Sequence, residues 1–583
     1  MGYNSLYQTL FFIYEGSMGK LRLAMAQIDS VVGDLAGNTA CIIRHIQEAR
    51  SLGADVIVFP ELAICGYPPE DLLHKPRFVE GNLHSLDSVI KASEGITVIV
   101  GYVDSHNGLH NSAAIIHNAS LIDSYHKIFL PNYGVFDENR YFLPGNRCPV
   151  YTICGLRVGV NICEDIWFAS GPSTAQSNKG AELIINISAS PYHFGKRNQR
   201  EKMLSDRARE NRVYIAYTNM VGGQDELVFD GASNVFDYNG NLVLRGKQFQ
   251  EDLLVLDLDI PALTRQGDMS TEIPDSIFVS ASGLSEPKLP FENSDSVPLD
   301  ADAEVYQALL LGTKDYINKN GFKKVVIGLS GGIDSSLVAA IATDALGADN
   351  VVGVIMPSRY SSAGSISDSL RLAENLGIKT LQIPIDPIFK SFLSTLSEVF
   401  AGTETDTTEE NIQARIRGNL LMALSNKFHW LVLNTSNKSE TAIGYSTLYG
   451  DMAGGFAIIK DVPKVLVYRL AHNRNKSAGF ELIPHNVLTK PPSAELKPNQ
   501  LDTDSLPPYE LLDPILEAYV EQDKSIDQIV ALGFEESIVK RVVKMVDRSE
   551  YKRRQAPPGI KITPKAFGRD RRLPITNRYN HVG

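Results

Sequence analysis

Short apolar runs alternate with amphipathic stretches along most of the chain, a pattern that predicts strands alternating with helices. In the first half this pattern predicts a first strand at 21–28 and buried strands at 54–59, 96–100, 156–160 and 183–187. Ile42, Ile46 and Ala49 recur at helical spacing before Gly53, which predicts an amphipathic helix that ends there. Asn239-Gly240 lies between two apolar runs and predicts a hairpin turn. The first half is therefore predicted to be α/β with some antiparallel pairing.

The second half carries a separate α/β pattern. Apolar runs near 324–329, 351–356, 380–385 and 430–434 alternate with helical stretches, which predicts a doubly wound parallel sheet. Ser, Pro, Glu and Asp dominate the stretch between the halves, which indicates a linker. The predicted domains are 19–275 and 301–583, joined by a linker at 276–300. Residues 1–18 are interpreted as an extension of doubtful role, either a dispensable segment or the result of a misplaced start.

Composition narrows the class of protein. A chain of 583 residues exceeds the roughly 250–300 that one core supports, so several domains are expected. The net charge of −12 argues against a general nucleic-acid binder, and no apolar run approaches the ~18 residues of a membrane span. The five cysteines are odd in number and lack framework spacing, which indicates a reducing cytoplasm. The basic stretch 552–578 is compatible with a solvated tail or with phosphate contacts.

One loop carries the clearest chemical signal. It reads Ser-Gly-Gly-Ile-Asp-Ser-Ser over 330–336, directly after the apolar run 324–329 and directly before an apolar helix. Glycines let backbone N–H groups approach a polyanion, and the helix N-terminus adds partial positive charge. The spacing and lysine of the Walker P-loop are missing, so a different pyrophosphate cradle is predicted.

This loop resembles that of the N-type ATP pyrophosphatases, which split ATP into AMP and pyrophosphate. The resemblance implies ATP binding by the end of the strand and the whole loop, that is, by Gly328, Leu329, Ser330, Gly331, Gly332, Ile333, Asp334, Ser335 and Ser336.

Three residues in the first half lie within short sequence motifs. Glu61 lies in Pro-Glu-Leu-Ala-Ile-Cys-Gly-Tyr, Lys127 precedes Ile-Phe-Leu-Pro, and Cys163 lies in Gly-Val-Asn-Ile-Cys-Glu-Asp-Ile-Trp. Together they resemble the nitrilase, or carbon-nitrogen hydrolase, superfamily. The resemblance implies an αββα sandwich in which a cysteine nucleophile works with a glutamate base and a lysine that stabilises the oxyanion. Glu138 is the candidate second glutamate, and Cys65 is the rival nucleophile.

The same resemblance extends to a glutamine site. In glutamine-using members a tyrosine after the lysine and the segment after the next strand hold the charged end of the amino acid. The matching residues here are Tyr133, Ser190 and Lys196, with Glu164 as a partner for the substrate ammonium. The alternative is that these four are ordinary structural polar residues.

Several positions in the second half resemble NAD synthetases. The resemblance implies that Asp334 and Glu440 hold Mg²⁺, that Thr435 and Lys464 bind ATP, and that Arg415, Glu440 and Lys552 bind deamido-NAD. One departure is Asn-Thr-Ser-Asn at 434–437, where many relatives carry Thr-Thr-Gly-Asn. Residues 411–417 are expected to begin a helix.

Taken together, the two halves resemble the glutamine-dependent NAD synthetases. The resemblance implies a homo-oligomeric ligase that uses glutamine, ATP and deamido-NAD and passes ammonia through an enclosed channel, with no nucleic-acid or membrane partner. Two other classes remain open: an amidase with a nucleotide-sensing half, and a tRNA-modifying ligase. A catalytically dead scaffold is disfavoured because every proposed acid, base and nucleophile is present.

Overall fold

The computed structural model describes residues 19–260, 275–281 and 296–579. The predicted extension over 1–18 and most of the predicted linker lie outside these residues. The described chain divides into two compact units, one formed from 19–191, 195–224 and 229–298 and the other from 192–194, 225–228 and 299–579. Among the described residues, no helix combines the length and apolar character needed to cross a bilayer.

The first unit is built around two large sheets, and a separate two-stranded sheet accompanies them among the described residues. Its elements are β1 Gly19–Gln27, α1 Leu35–Ser51, β2 Val56–Val58, α2 Pro76–Ala92, β3 Thr97–Asp104, β4 His110–His117, β5 Ser120–His126, β6 Val150–Ile153, β7 Leu156–Ile162, α3 Pro172–Asn178, β8 Leu183–Ser188, α4 Lys196–Asn211, β9 Tyr214–Asn219, β10 Val221–Gln224, β11 Leu227–Asp230 (which runs into the second unit), β12 Asn234–Phe236, β13 Leu242–Arg245, β14 Asp252–Ile260 and β15 Ser276–Phe278.

These elements form a four-layer sandwich. One sheet has the order β14-β1-β2-β3-β4-β5 and the other β13-β12-β9-β8-β7-β6-β15. Apolar side chains of both sheets, such as Met25 and Val160, share one core. On the outer faces, Ile46 of α1 packs on the first sheet and Leu204 of α4 packs on the second. This αββα arrangement confirms the predicted fold, and the pairing of β12 with β13 confirms the hairpin at Asn239-Gly240.

The second unit is built on a parallel sheet. Its elements are α5 Ala301–Lys319, β16 Val325–Gly328, α6 Ile333–Leu346, β17 Val351–Ile355, α7 Ala363–Leu376, β18 Lys379–Gln382, α8 Asp386–Leu396, α9 Thr407–Phe428, β19 Leu431–Asn434, α10 Lys438–Ile443, β20 Phe456–Ala457, α11 Lys464–Ala478, α12 His485–Thr489, α13 Tyr509–Leu516, α14 Ile526–Val530, α15 Glu536–Arg548 and α16 Glu550–Arg553.

The sheet order is β18-β17-β16-β19-β20, with every pair parallel. Phe389 of α8 and Ile416 of α9 pack with Val326 on one face, while α6 packs against β16 and β17. The doubly wound prediction is confirmed. The strand order reverses between β16 and β19, so their C-terminal loops flank a crevice suited to a ligand. One expectation was wrong: 411–417 lies inside α9, which begins at Thr407 behind the Asp406 cap.

Candidate active sites

A buried lysine joins two carboxylates in the first unit. Lys127 follows β5 directly, and its Nζ lies 2.7 Å from Glu61 Oε1 and 2.8 Å from Glu138 Oε1. All three side chains are buried. Burial alone would lower the pKa of Lys127, but the charges of Glu138 and Glu61 raise it well above its usual range. The lysine is therefore held as a cation inside the sandwich.

Burial also acts on the second glutamate, raising the pKa of Glu138 to about 7 against the attraction of Lys127. Tyr67 donates a 2.8 Å hydrogen bond to the Glu138 oxygen that already binds Lys127. Tyr67 stands in the motif around Glu61, so the sequence carried a signal for it, although its partner could not be read from the motif.

Cys163 lies where β7 ends and a short 3₁₀ helix, Cys163–Ile166, begins. Its φ of 43° is in the left-handed region, which costs backbone energy for a residue with a Cβ. Burial raises the pKa of its thiol well above the usual range, and Glu61 adds to the shift while Lys127 opposes it. A buried thiol of this kind needs an adjacent base to become a nucleophile.

The rival cysteine has a different environment. Cys65 is buried, and its Sγ contacts the backbone oxygens of Leu62 and Gly66. Burial raises the pKa of its thiol to about 12, and no charged side chain contributes to that shift. Among the described residues, Cys65 therefore has no adjacent base to remove its proton.

The four residues of the predicted glutamine site lie in the first unit. Glu164 follows Cys163 in the sequence, and Tyr133 and Lys196 interact electrostatically with Cys163. Tyr133 donates to both carboxylate oxygens of Glu164, at 2.9 and 3.1 Å. Lys196 begins α4 with its Nζ 4.2 Å from the centre of the Trp167 ring, and burial lowers the pKa of this ammonium. Ser190 is buried, and its backbone N–H donates to Asn219.

In the second unit the predicted phosphate loop connects β16 to α6. Gly331 has φ +74°, and a Cβ there would lie 2.3 Å from Ser365 O, so this position requires glycine. Hydroxyl groups hold the turn: Ser330 accepts from Gly332 N, and Ser336 donates to Gly332 O at 2.8 Å. The turn is thus held by hydrogen bonds between its own hydroxyl and backbone groups.

Three charged side chains meet beside this loop. Lys464, the first residue of α11, donates from Nζ to Asp334 Oδ2 and, at 3.1 Å, to Glu440 Oε1. Asn437 caps α10 by accepting from Glu440 N and donates at 2.9 Å to Asp334 Oδ1. Burial raises the pKa of Glu440 to about 7.

A cavity of about 320 Å³ opens along the loop. The predicted residues that line it are Gly328, Leu329, Ser330, Gly332, Ile333, Asp334, Ser335, Thr435, Glu440 and Lys464. Gly331 and Ser336 belong to the turn but do not line the cavity.

Two residues predicted to bind deamido-NAD also lie outside this lining. Arg415 is exposed and donates to Leu448 O, while Lys552 donates at 2.7 Å to Gly444 O and Ser446 O. Other basic residues of the stretch 552–578 form ion pairs within the second unit. Arg571, for example, pairs with Asp547.

The cavity also contains cations that the sequence interpretation missed. Arg417 lines it and donates to Met356 O, and Lys490 lines it while donating to Ser365 Oγ. Arg417 lies two residues from the predicted Arg415. The apolar spacing of Ile412 and Ile416 gave no signal for Arg417, because at about 100° per residue their face lies nearer to Arg415.

Comparison with known proteins identifies the family. Residues 22–266 match the carbon-nitrogen hydrolase family and residues 305–556 the NAD synthase family. A glutamine-dependent NAD(+) synthetase of Thermotoga maritima is 50% identical over 572 residues, spanning 96% of this chain and 99% of that protein. The chain belongs to the glutamine-dependent NAD(+) synthetases. A relative of that name in Aquifex aeolicus is 46% identical, spanning 96% of this chain and 100% of that protein.

Solved structures agree with this assignment. The glutamine-dependent NAD+ synthetase of Acinetobacter baumannii, determined in complex with ADP, is 40% identical, with a TM-score of 0.74 and coverage of 96% of this chain and 99% of that chain. That of Cytophaga hutchinsonii, at 22% identity, shares the fold with a TM-score of 0.79 over 96% of this chain and 98% of that chain. Membership among the glutamine-dependent NAD(+) synthetases decides against the sensor-bearing amidase and the tRNA-modifying ligase.

Magnesium was expected from the resemblance to NAD synthetases, and the donors beside the loop can be tested for it. The described residues contain no group of three or more His, Cys, Asp or Glu side chains placed to hold a metal alone. Asp334 and Glu440 converge on one cation, the Lys464 ammonium. Carboxylate oxygens suit Mg²⁺, which usually completes its shell with substrate phosphates and water. The donor set therefore fits Mg²⁺ held jointly with a triphosphate.

Proposed function

We propose that the chain amidates deamido-NAD to NAD at the expense of ATP, with ammonia released from glutamine, and that AMP, pyrophosphate and glutamate are the by-products. This would be the final step of NAD biosynthesis. The supporting observation is that one chain carries both clusters of charged residues. Glu61, Lys127 and Glu138 meet beside the strained Cys163 in the first unit. Asp334, Lys464 and Glu440 meet beside the phosphate loop in the second.

In the proposed glutaminase reaction, Glu61 takes the proton of Cys163 as the thiolate attacks the amide carbon. Lys127 and the backbone N–H of Glu164 stabilise the oxyanion that develops. Glu61 returns the proton to the leaving ammonia and then activates a water, which releases glutamate from the thioester. Glu138 keeps Lys127 charged and in place, as its 2.8 Å contact supports.

The substrate is proposed to bind through its two charged ends. Glu164 would take the ammonium and Lys196 the carboxylate, with Tyr133 and Ser190 as hydrogen-bonding partners. The contact of Tyr133 with both oxygens of Glu164 supports a shared role.

In the proposed synthetase reaction, the loop from Gly328 to Ser336, with Thr435 and Lys464, holds the ATP phosphates. Mg²⁺ bound by Asp334 and Glu440 would neutralise charge on the triphosphate. Arg415, Glu440 and Lys552 are proposed to bind deamido-NAD, whose carboxylate becomes an acyl-adenylate that ammonia attacks. Arg417 and Lys490 are further candidates for anionic groups because both line the cavity.

We further propose that ammonia passes from the first site to the second through an enclosed channel, that the protein is a homo-oligomer, and that it acts in the cytoplasm. The glutaminase domain is proposed to span 19–275 and the synthetase domain 301–583, with a linker at 276–300.

The test is NAD formation from deamido-NAD and Mg-ATP, driven by glutamine or by ammonium at alkaline pH. We expect Cys163→Ala to lose the glutamine-driven reaction and to keep the ammonium-driven one. Cys65→Ala is the matched control, because it removes a second buried thiol and should keep both reactions. If the native protein makes no NAD from either donor, the proposal fails. If Cys65→Ala instead loses the glutamine-driven reaction, the nucleophile is misassigned.

A further inference from the structure

Asn111 is a buried side chain in β4 that contacts both members of the Glu61–Lys127 pair. Its Nδ2 donates to Glu61 Oε1 at 2.7 Å, and its backbone oxygen accepts from Lys127 N at 2.9 Å. The side chain is 1% exposed. No motif in the sequence pointed to it.

The hydrogen bonds to Glu61 are distributed unevenly over its two oxygens. Oε1 accepts from Lys127 Nζ and from Asn111 Nδ2, both at 2.7 Å. Oε2 accepts from Ala189 N at 2.9 Å. Each carboxylate oxygen offers about two lone-pair positions. Oε1 is therefore saturated, and the lone pair left to take a proton lies on Oε2.

The orientation of the Asn111 amide carries a cost. Its Oδ1 is buried and has no hydrogen-bond partner among the described residues. Reversing the amide would place Oδ1 2.7 Å from Glu61 Oε1, acceptor against acceptor. The contact with Glu61 thus fixes the amide even though it leaves a buried acceptor unpaired, which native structures seldom tolerate without a functional reason.

We propose that Asn111 is a positioning residue of the glutaminase, which occupies Glu61 Oε1 and so makes Oε2 the basic atom. In the step it controls, the Cys163 S–H bond breaks and the Glu61 Oε2–H bond forms, with no change of oxidation state. This inference rests on the proposed glutaminase function.

The test compares glutamine hydrolysis by the full-length native protein, Asn111→Leu and Asn111→Asp. Losing a hydrogen bond to a charged group should lower kcat for glutamine about 10- to 100-fold while KM stays unchanged. The acid limb of the kcat pH profile should move to higher pH, because a donor that favours the ionised base is gone. Asn111→Asp keeps the side-chain shape and should lose activity even if the leucine variant folds poorly. Ammonium-driven NAD formation should persist in both.

Asn234→Leu is the matched control. Asn234 is also fully buried in a strand and donates from Nδ2 to a backbone oxygen, and its Oδ1 has no hydrogen-bond partner in the described part of the chain. Its variant should keep the native kcat and pH profile. Native behaviour of the Asn111 variants overturns the inference, and so does a change in KM alone or a fall in kcat without a shifted acid limb. A native protein that cannot hydrolyse glutamine overturns the proposed function, which distinguishes the two failures.

Discussion

At the scale of single residues, Lys464 is the cation on which two carboxylates of the second unit depend. Substituting Lys464→Met would leave Asp334 and Glu440 facing each other without it. We expect NAD formation to fall at least about a hundredfold with either nitrogen donor, as removal of a charge-stabilising group usually does. Glutamine hydrolysis should continue.

Lys460→Met is the control for this substitution. Lys460 is a nearby buried lysine whose Nζ donates to Pro557 O rather than to the cluster. Its variant should retain most of the NAD-forming activity. Equal losses in both variants would show that the first effect is structural.

Glu138 should make stability depend on pH. Its pKa rises from 4.5 to about 7 on folding because it is buried. Between these values the folded protein holds a proton that the unfolded chain has released, so this contribution to stability is lost as pH rises. The variant Glu138→Gln lacks this titration. Its Tm relative to the native protein should therefore increase between about pH 5 and pH 7.5, as thermal unfolding can measure. Parallel curves would contradict this.

The sequence was sufficient to single out Glu61, Lys127 and Cys163 as candidates because each stands in an extended motif. It could not identify Asn111, which reaches Glu61 only after β2 and β4 enter one sheet on either side of β3. Asn111 and Glu61 are fifty positions apart in the sequence, so only the tertiary structure brings them into contact. Whether Arg415 or Arg417 meets substrate depends on which side of α9 faces the cavity.

At the scale of elements, the phosphate loop depends on one glycine. Gly331→Ala adds a Cβ at positive φ and 2.3 Å from Ser365 O. We expect ATP affinity and NAD formation to fall with both nitrogen donors. The free energy of unfolding should fall by more than the ~1 kcal/mol that a left-handed alanine costs, as the shift in Tm can report.

Gly479→Ala separates the two causes. Gly479 has a left-handed backbone with a similar φ of 75°, but a Cβ there meets no described atom within 4 Å. This variant should show only the conformational cost and keep its activity. If both variants bind ATP equally well, the close approach to Ser365 is unimportant.

Buried parallel strands were the elements best predicted, because such strands appear in the sequence as continuous apolar runs. The strand predicted at 54–59 is shorter, spanning Val56–Val58, since the chain turns at Pro60 to present Glu61. The pairing of β1 with β14 had no local signal, because it joins residues more than 200 positions apart. The αββα and doubly wound classes followed from the order of elements and from the family resemblance.

At the scale of the whole molecule, transfer of ammonia can be measured without knowing its route. Amide-¹⁵N-glutamine and an equal concentration of unlabelled ammonium would be supplied together near neutral pH. We expect the amide of NAD to carry more label than the free ammonium pool. Cys163→Ala should incorporate only unlabelled nitrogen. Labelling equal to that of the pool would mean that ammonia escapes before use.

The side chains that line the cavity carry more acidic than basic groups. Three cations, Arg417, Lys464 and Lys490, stand against five acids, Asp334, Glu440, Asp451, Glu495 and Asp502. A bare polyphosphate would enter a region that is already negative overall when these acids are ionised. The nucleotide should therefore gain entry only together with compensating positive charge, either as divalent ions or as protons on carboxyls such as Glu440, whose pKa is about 7. Nucleotide affinity and the uptake of cations are thus linked quantities in this enzyme.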